Sequence, residues 1–197
     1  MPHRLFIGIR PPQPVRETLL DTMEALEGAR WVEDDNLHLT LRFVGEVERP
    51  AANDLAEALG RIEWPRFELR IDGVGSFDRN NRHSSWPHAV WARVPPTDAL
   101  DGLRLKVERA CEAAGLGRET RRFTPHVTLA RLHRAASGIG EWLGRWGDLA
   151  AGPWTAEDFV LFESYLGRTG AHYEEVVRYP LERGKEPSPL ASVAPSA

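Results

Sequence analysis

The chain has 197 residues, 42% of them hydrophobic and 27% charged, with a formal net charge of −4, an ordinary globular composition with enough apolar mass for a sizeable core. No apolar run approaches the roughly 20 residues that span a bilayer, the opening MPHRLFIGIRPPQP is too short in its apolar part for a signal peptide, and the single cysteine, Cys111, excludes an internal disulfide framework or a cysteine zinc site. Interspersed acids and bases exclude a long duplex-binding stripe and leave room for a local positive pocket for one or two phosphates; a cytoplasmic protein is expected.

In chain order, His3 to Ile9 reads as a strand, broken by PPQP. Val15, Leu19, Met23 and Leu26 then recur at helical spacing up to Gly28, a C-cap in this reading. Leu37 to Val44 alternates as a strand ending at Gly45, and Leu55, Ala58, Leu59 and Ile62 mark a second helix. A strand is predicted over Arg66 to Val74, followed by a polar, turn-rich loop, SFDRNNRHSSWP, and a strand over His88 to Val94. Asp98 offers an N-cap to the longest helix, whose inner stripe is Leu100, Leu103, Val107, Ala110 and Ala114. Val127 and Leu129 lie on a further strand, Ser137 to Leu149 is read as a short helix, and Asp158 to Leu166 and Tyr173 to Tyr179 pair around GRTGAH. The Pro/Ser/Ala-rich end, GKEPSPLASVAPSA, is expected to be disordered. Strands joined by short turns, without a Gly-rich phosphate loop, favour antiparallel sheets with helices on one side.

The two halves look alike, and one motif makes the likeness specific. His38-Leu39-Thr40-Leu41 returns 88 residues later as His126-Val127-Thr128-Leu129. A strand period of two puts His38 and Thr40 on one face about 7 Å apart, and likewise His126 and Thr128. Halves packed about a pseudo-two-fold axis set the two polar rows across a groove, with the apolar residues of each strand turned into their own cores. Two imidazoles with ordinary pKa values near 6.5 suit concerted acid–base work, a neutral ring taking a proton from water while an imidazolium gives one to a leaving oxygen. Threonine hydroxyls near the axis can clamp non-bridging oxygens. A phosphodiester meets these demands better than an amide.

HLTLRFVG and PHVTLARL resemble the paired His-x-Thr signatures of the 2H phosphoesterase superfamily, and more narrowly the bacterial RNA 2′,3′-cyclic phosphodiesterases, historically called 2′-5′ RNA ligases. The phrases LFIGI, RWVEDDNLHLTLRFVGE, RRFTPHVTLARL and FVLFESYLGRTGAHYEEVVRYPL extend the likeness from about Leu5 to Leu181. The resemblance implies an α+β, bilobal fold in which two antiparallel sheets, with helices on their outer sides, are related by a pseudo-two-fold axis and enclose a groove. Residues 1–183 would form that single domain, and 184–197 the tail. It also implies the substrate, RNA ends or cyclic mononucleotides bearing a 2′,3′-cyclic phosphate, opened to a 2′-phosphate. His38 would be the proton donor to the departing 3′ oxygen, His126 the proton acceptor from water, and Thr40 and Thr128 would hold the phosphate. Neither metal nor cofactor is implied, and a monomer is expected. The reverse reaction, 2′-5′ RNA ligation, uses the same groups, and a non-catalytic RNA-end binding module is the alternative of a different class.

Arg42 shares the alternation face of His38 and Thr40 and is a candidate phosphate contact. Arg131 is a second candidate, although strict alternation aims it away from His126 unless a bulge returns it. Phe43 falls on the core face by the same count. Phe6, Trp86, Tyr165 and Tyr173 are candidates for base stacking, and Arg79, Arg82 and His83 for guiding a nucleotide chain from the polar loop. His3, His88, His133 and His172 have no matching partners, and Cys111 reads as packing. No His-Glu-x-x-His occurs, which disfavours a zinc hydrolase.

Overall fold

The computed structural model describes residues 2–81, 84–167 and 171–182. Its elements are β1 (His3–Ile9), α1 (Gln13–Leu20), β2 (Glu27–Trp31), β3 (Leu39–Val47), α2 (Arg49–Gly60), β4 (Phe67–Asp72), β5 (Val74–Asn81), β6 (Ser84–Arg93), α3 (Asp98–Ala113), β7 (His126–Ser137), α4 (Ile139–Arg145), β8 (Ala150–Ala156), β9 (Asp158–Leu166) and β10 (Ala171–Pro180), with a 3-10 turn over Asp34–Asn36. The expected tail lies outside the described residues, as do Arg82 and His83.

The strands make an antiparallel sheet in the order β10-β9-β1-β3-β7-β6-β5, with β2 also on β7, and β4 pairs β8 in a separate ribbon. This sheet is two four-stranded arms, β10-β9-β1-β3 and β5-β6-β7-β2, joined between β3 and β7 by the single pair Leu39↔Val127. Those two residues occupy equivalent places in the repeated motif. An antiparallel pair between equivalent residues is what a local two-fold axis requires, so the two motifs meet at their starts and diverge.

One hydrophobic cluster runs through the molecule rather than one per half. It takes in Leu5, Ile7, Leu39 and Leu41 of the first arm, Val127 and Leu129 of the second, and Leu19, Leu55 and Leu103 from the helices. The apolar sides of both motif strands therefore face one shared core, because the arms are continuous through Leu39 and Val127. On the other side of β1, Phe6 packs with Val160 and Phe162, and Tyr173 lies against them.

Several boundaries depart from the sequence reading. Helix α1 stops at Leu20; the buried Thr22 hydroxyl donates to the Leu19 carbonyl at 2.7 Å. The expected turns through Met23 and Leu26 are irregular chain, β2 begins at Glu27, and Gly28 (φ 75°) sits in that strand rather than at a helix end. Strand β8 has no counterpart in the periodicity. The polar stretch after Val74 is strand up to Asn81 and again from Ser84, where a loop was expected: β5 and β6 pair antiparallel out to Asn81↔Ser84. Helix α3 is capped by Thr97, whose Oγ1 accepts from the Leu100 N–H at 3.2 Å, and Asp98 falls in its first turn.

Candidate active site

Each motif histidine is fixed by a main-chain carbonyl two residues before it. His38 Nδ1 donates to the Asn36 carbonyl at 2.7 Å, and His126 Nδ1 donates to the Thr124 carbonyl at 2.6 Å. A carbonyl only accepts, so Nδ1 carries the hydrogen in both rings and, in the neutral imidazole, Nε2 keeps the lone pair. The Asn36 turn is itself pinned: Arg16 holds the Asp34 carboxylate at 2.7 and 3.2 Å, and the Asn36 amide donates to the Ala171 carbonyl at 2.9 Å.

Aromatic rings back each imidazole. Phe6 lies 4.6 Å from His38 and Tyr173 stands edge-on at 5.2 Å; Phe77 stands edge-on to His126 at 4.7 Å, with Trp91 at 5.8 Å. Two glycines make room for this packing. A Cβ on Gly8 would meet the Leu39 carbonyl oxygen at 2.8 Å, and one on Gly75 would meet the Trp91 ring at 2.5 Å. Burial lowers the pKa of His38 to about 4, against the opposing pull of the Asn36 carbonyl, and positive charge on His126 and Arg131 lowers it further. Burial also lowers His126, the Thr124 carbonyl opposing and Arg131 adding. The rings are thus near enough for a charge on one to disfavour a charge on the other.

A bulge follows each motif threonine. Across β1 the register passes from Gly8↔Thr40 to Ile7↔Arg42, leaving Leu41 extra. Across β6 it passes from Trp91↔Thr128 to Val90↔Ala130, leaving Leu129 extra. An extra residue shifts the alternation by one, so the residue five places after each histidine rejoins the histidine face. That residue is Phe43 in β3 and Arg131 in β7. Burial follows suit: Leu41 and Arg42 are buried in succession, as are Leu129 and Ala130, while Phe43 and Arg131 are exposed.

The bulges overturn two expectations. Phe43 is not core: it is 38% exposed, with the Arg4 guanidinium 5.3 Å over its ring. Arg42 leaves the face of His38 and Thr40 and is 9% exposed in the cleft wall. Its guanidinium donates to the Phe43 carbonyl at 3.0 Å, to Glu119 at 3.1 Å and to the Gly117 carbonyl, and pairs with Glu108 at 3.1 Å. Arg131, in contrast, is delivered to the histidines.

These side chains share one cleft of about 730 Å³, lined by His38, Thr40, His126, Thr128, Phe43 and Arg131 among others. Its walls also carry Arg4, Arg30, Arg104 and Arg122, none of which has a carboxylate partner among the described residues. Arg30 and Arg131 are directly opposed across β2 and β7, a like-charge arrangement that costs stability unless an anion sits nearby. A chain of net charge −4 thus concentrates unpaired arginine in one place.

The LigT-like phosphoesterase family profile matches residues 9–86 and 92–173. The chain belongs to this family. It is 37% identical to the RNA 2′,3′-cyclic phosphodiesterase of Aeropyrum pernix over 73% of this chain and 81% of that one. With the enzyme of the same name from Escherichia coli it shares 31% identity over 91% and 97%. The crystal structure of Escherichia coli LigT complexed with 3′-AMP superposes with a TM-score of 0.74 at 28% identity, covering 93% of this chain and all of that one.

Within this LigT-like phosphoesterase, the remaining residues singled out from sequence fall in varied places. Phe6 is 2% exposed beneath His38, and so is part of the ring's support rather than a free stacking surface. Tyr173 lines the cleft, whereas Tyr165 is 45% exposed outside it. His133 lines the cleft from β7, two residues beyond Arg131. His88 stacks at 6.3 Å on Phe77, behind His126; His3 bonds Glu163 at 2.8 Å and His172 lies 3.5 Å from Glu174. Arg79 and Trp86 belong to the hairpin strands β5 and β6. Cys111 is fully buried, and burial pushes its thiol up to about 11. The carbonyls of Asn36 and Thr124 escape sequence reasoning, since a main-chain acceptor leaves no trace in side-chain pattern. No group of three or more His, Cys, Asp or Glu among the described residues forms a metal-binding cluster, and no described helix is long and apolar enough to cross a membrane.

Proposed function

We propose that this LigT-like phosphoesterase hydrolyses the 2′,3′-cyclic phosphate at RNA ends to a 2′-phosphomonoester, without a metal ion. The observation that carries the reading is the pair of Nδ1-anchored imidazoles facing one arginine-lined cleft at the join of two equivalent strands. The names of the Aeropyrum and Escherichia relatives supply the substrate class.

In this mechanism Thr40 and Thr128 donate to the two non-bridging oxygens and centre the phosphorus between the rings. Neutral His126 Nε2 takes a proton from water as its oxygen bonds to phosphorus. The P–O3′ bond breaks on the opposite side, and protonated His38 Nε2 gives its proton to the departing 3′ oxygen. The turnover leaves His126 charged and His38 neutral; proton exchange with solvent resets both. The lowered pKa of His126 keeps it a base at neutral pH, and the substrate's negative charge is what charges His38. Phe43 offers a face for the terminal base, and Arg131 stands at the equivalent place across the axis; which way the nucleoside lies decides which of two equivalent rings is the acid. The same reading carries the expectation of a monomeric cytoplasmic enzyme of one bilobal domain.

The test is incubation of the purified protein with 2′,3′-cyclic AMP and with a short RNA ending in a cyclic phosphate, with the product isomer identified by phosphorus NMR. A 2′-phosphate in the presence of EDTA is expected, and His38→Ala or His126→Ala lowers the rate by at least about two orders of magnitude. Binding without turnover, loss of activity in EDTA, or near-normal rates in either variant overturns the proposal.

A further inference from the structure

The catalytic reading leaves one buried charge without a task. Arg42 follows the bulge at Leu41, at a place where the second motif has Ala130, so the two-fold likeness breaks here. Its guanidinium crosses from β3 to the segment between α3 and β7. There it meets Glu119 and the Gly117 carbonyl, while Glu108 of α3, also paired with Arg42, accepts the Glu119 N–H at 2.8 Å. Arg42, Glu108 and Glu119 have side-chain exposures of 9%, 9% and 19%. Residues 114–125 contain no helix beyond the end of α3 and no strand, yet they include Arg121, Arg122, Phe123 and Thr124 of the cleft wall, and Thr124 supplies the carbonyl that orients His126. On the other arm, Arg16 and Asp34 tie down the turn that supplies the Asn36 carbonyl to His38.

We propose that Arg42 is a positioning residue for the reaction: by holding residues 114–125 it fixes the Thr124 carbonyl, and through it the ring of His126, so that the strand that follows the first histidine sets the orientation of the second. The kinetic part of this inference rests on the cyclic phosphodiesterase reading; the orientation of His126 does not.

Removing Arg42 alone strands two carboxylates in a buried setting and threatens the fold for that reason. The informative variant therefore combines Arg42→Met with Glu108→Gln and Glu119→Gln, which removes the charges together and keeps the amide oxygens that accept the Glu119 and Arg121 N–H groups. Thermal unfolding near that of the parent protein is expected, with kcat for 2′,3′-cyclic AMP down about tenfold to a hundredfold and KM within about twofold, the range a misplaced catalytic group produces. In the free protein, nitrogen NMR of the imidazoles is expected to show His126 losing its fixed Nδ1–H tautomer and titrating lower, because the Thr124 carbonyl raises its pKa, while His38 is unmoved. Arg131 of β7, Arg93 opposite His126 on β6, and His38 across the cleft are all intact in this variant. Unchanged kcat and unchanged His126 titration overturn the inference, and so does an equal shift of both histidines, which signals general loosening of the cleft. If the triple variant does not fold, Arg42→Lys is read by the same two criteria. A parent protein that fails to turn over cyclic phosphate rejects the functional reading alone, since the NMR measurement requires no substrate.

Discussion

An anion in the cleft should change the charge of His38, and the size of the effect follows from the structure. Burial brings this ring from an ordinary 6.5 to about 4, equivalent to about 3 kcal/mol against charging it. At pH 7 only about one ring in a thousand then carries the proton that the proposed acid step needs. A phosphate oxygen about 4 Å away, at an effective dielectric constant of about 20, offsets this with about 4 kcal/mol. A bound tetrahedral anion should therefore restore His38 to near its ordinary pKa. Sulfate is the suitable probe because it does not itself titrate between pH 4 and 8. Imidazole NMR titration with and without saturating sulfate should move His38 up by about two to three units. Calorimetry in two buffers of different ionisation enthalpy should show uptake approaching one proton per site near pH 5.5, lost in His38→Asn. A His38 that already titrates near 6.5 in the free protein, or one that sulfate leaves unmoved, refutes the reasoning.

The same lowered pKa makes stability depend on pH. The unfolded chain binds a proton at His38 near 6.5 and the folded one only near 4, so stability is retained above 6.5 and falls as pH drops through that window, by up to about 3 kcal/mol; urea unfolding at pH 7 and 4.5 should show this loss shrinking in His38→Asn, and parallel curves for the two proteins speak against it. Gly75→Ala places a methyl 2.5 Å from the Trp91 ring, an overpacking worth about 1–3 kcal/mol, and should lower the melting temperature while displacing the His126 resonances; an unperturbed His126 spectrum contradicts the packing argument. Phe43→Ala should weaken binding of 2′,3′-cyclic AMP by about 1–3 kcal/mol, as loss of one base-stacking face does, leaving kcat nearly unchanged, and unaltered KM rejects Phe43 as the stacking surface.

Leu39, Leu41 and Phe43 suggest a strand with a simple alternation, and for the first three motif positions that rule holds. Beyond Thr40 it fails, because the extra Leu41 is a matter of how β3 lies against β1 and not of β3 itself. The same applies to Leu129 against β6. One misread parity put Arg42 on the face of His38 and Phe43 in the core, whereas the fold turns the Arg42 guanidinium toward Glu108 and Glu119 and leaves Phe43 exposed on the cleft. The helical reading up to Gly28 fails for a related reason: Met23 and Leu26 fit a helical stripe, but from Glu27 the chain finds its hydrogen bonds on the edge of β7, about 100 positions away in the chain.

What the sequence by itself determined is the repeated motif: two His-x-Thr-Leu units at matching points of matching halves, since residue type and period-two spacing are local properties that travel with the chain. Only the tertiary structure decided which neighbours of those units enter the cleft and what aims the rings. Those choices depend on bulges set by cross-strand register, on main-chain carbonyls, and on a guanidinium that reaches from one arm to the segment before the other, all of them contacts between residues distant in sequence.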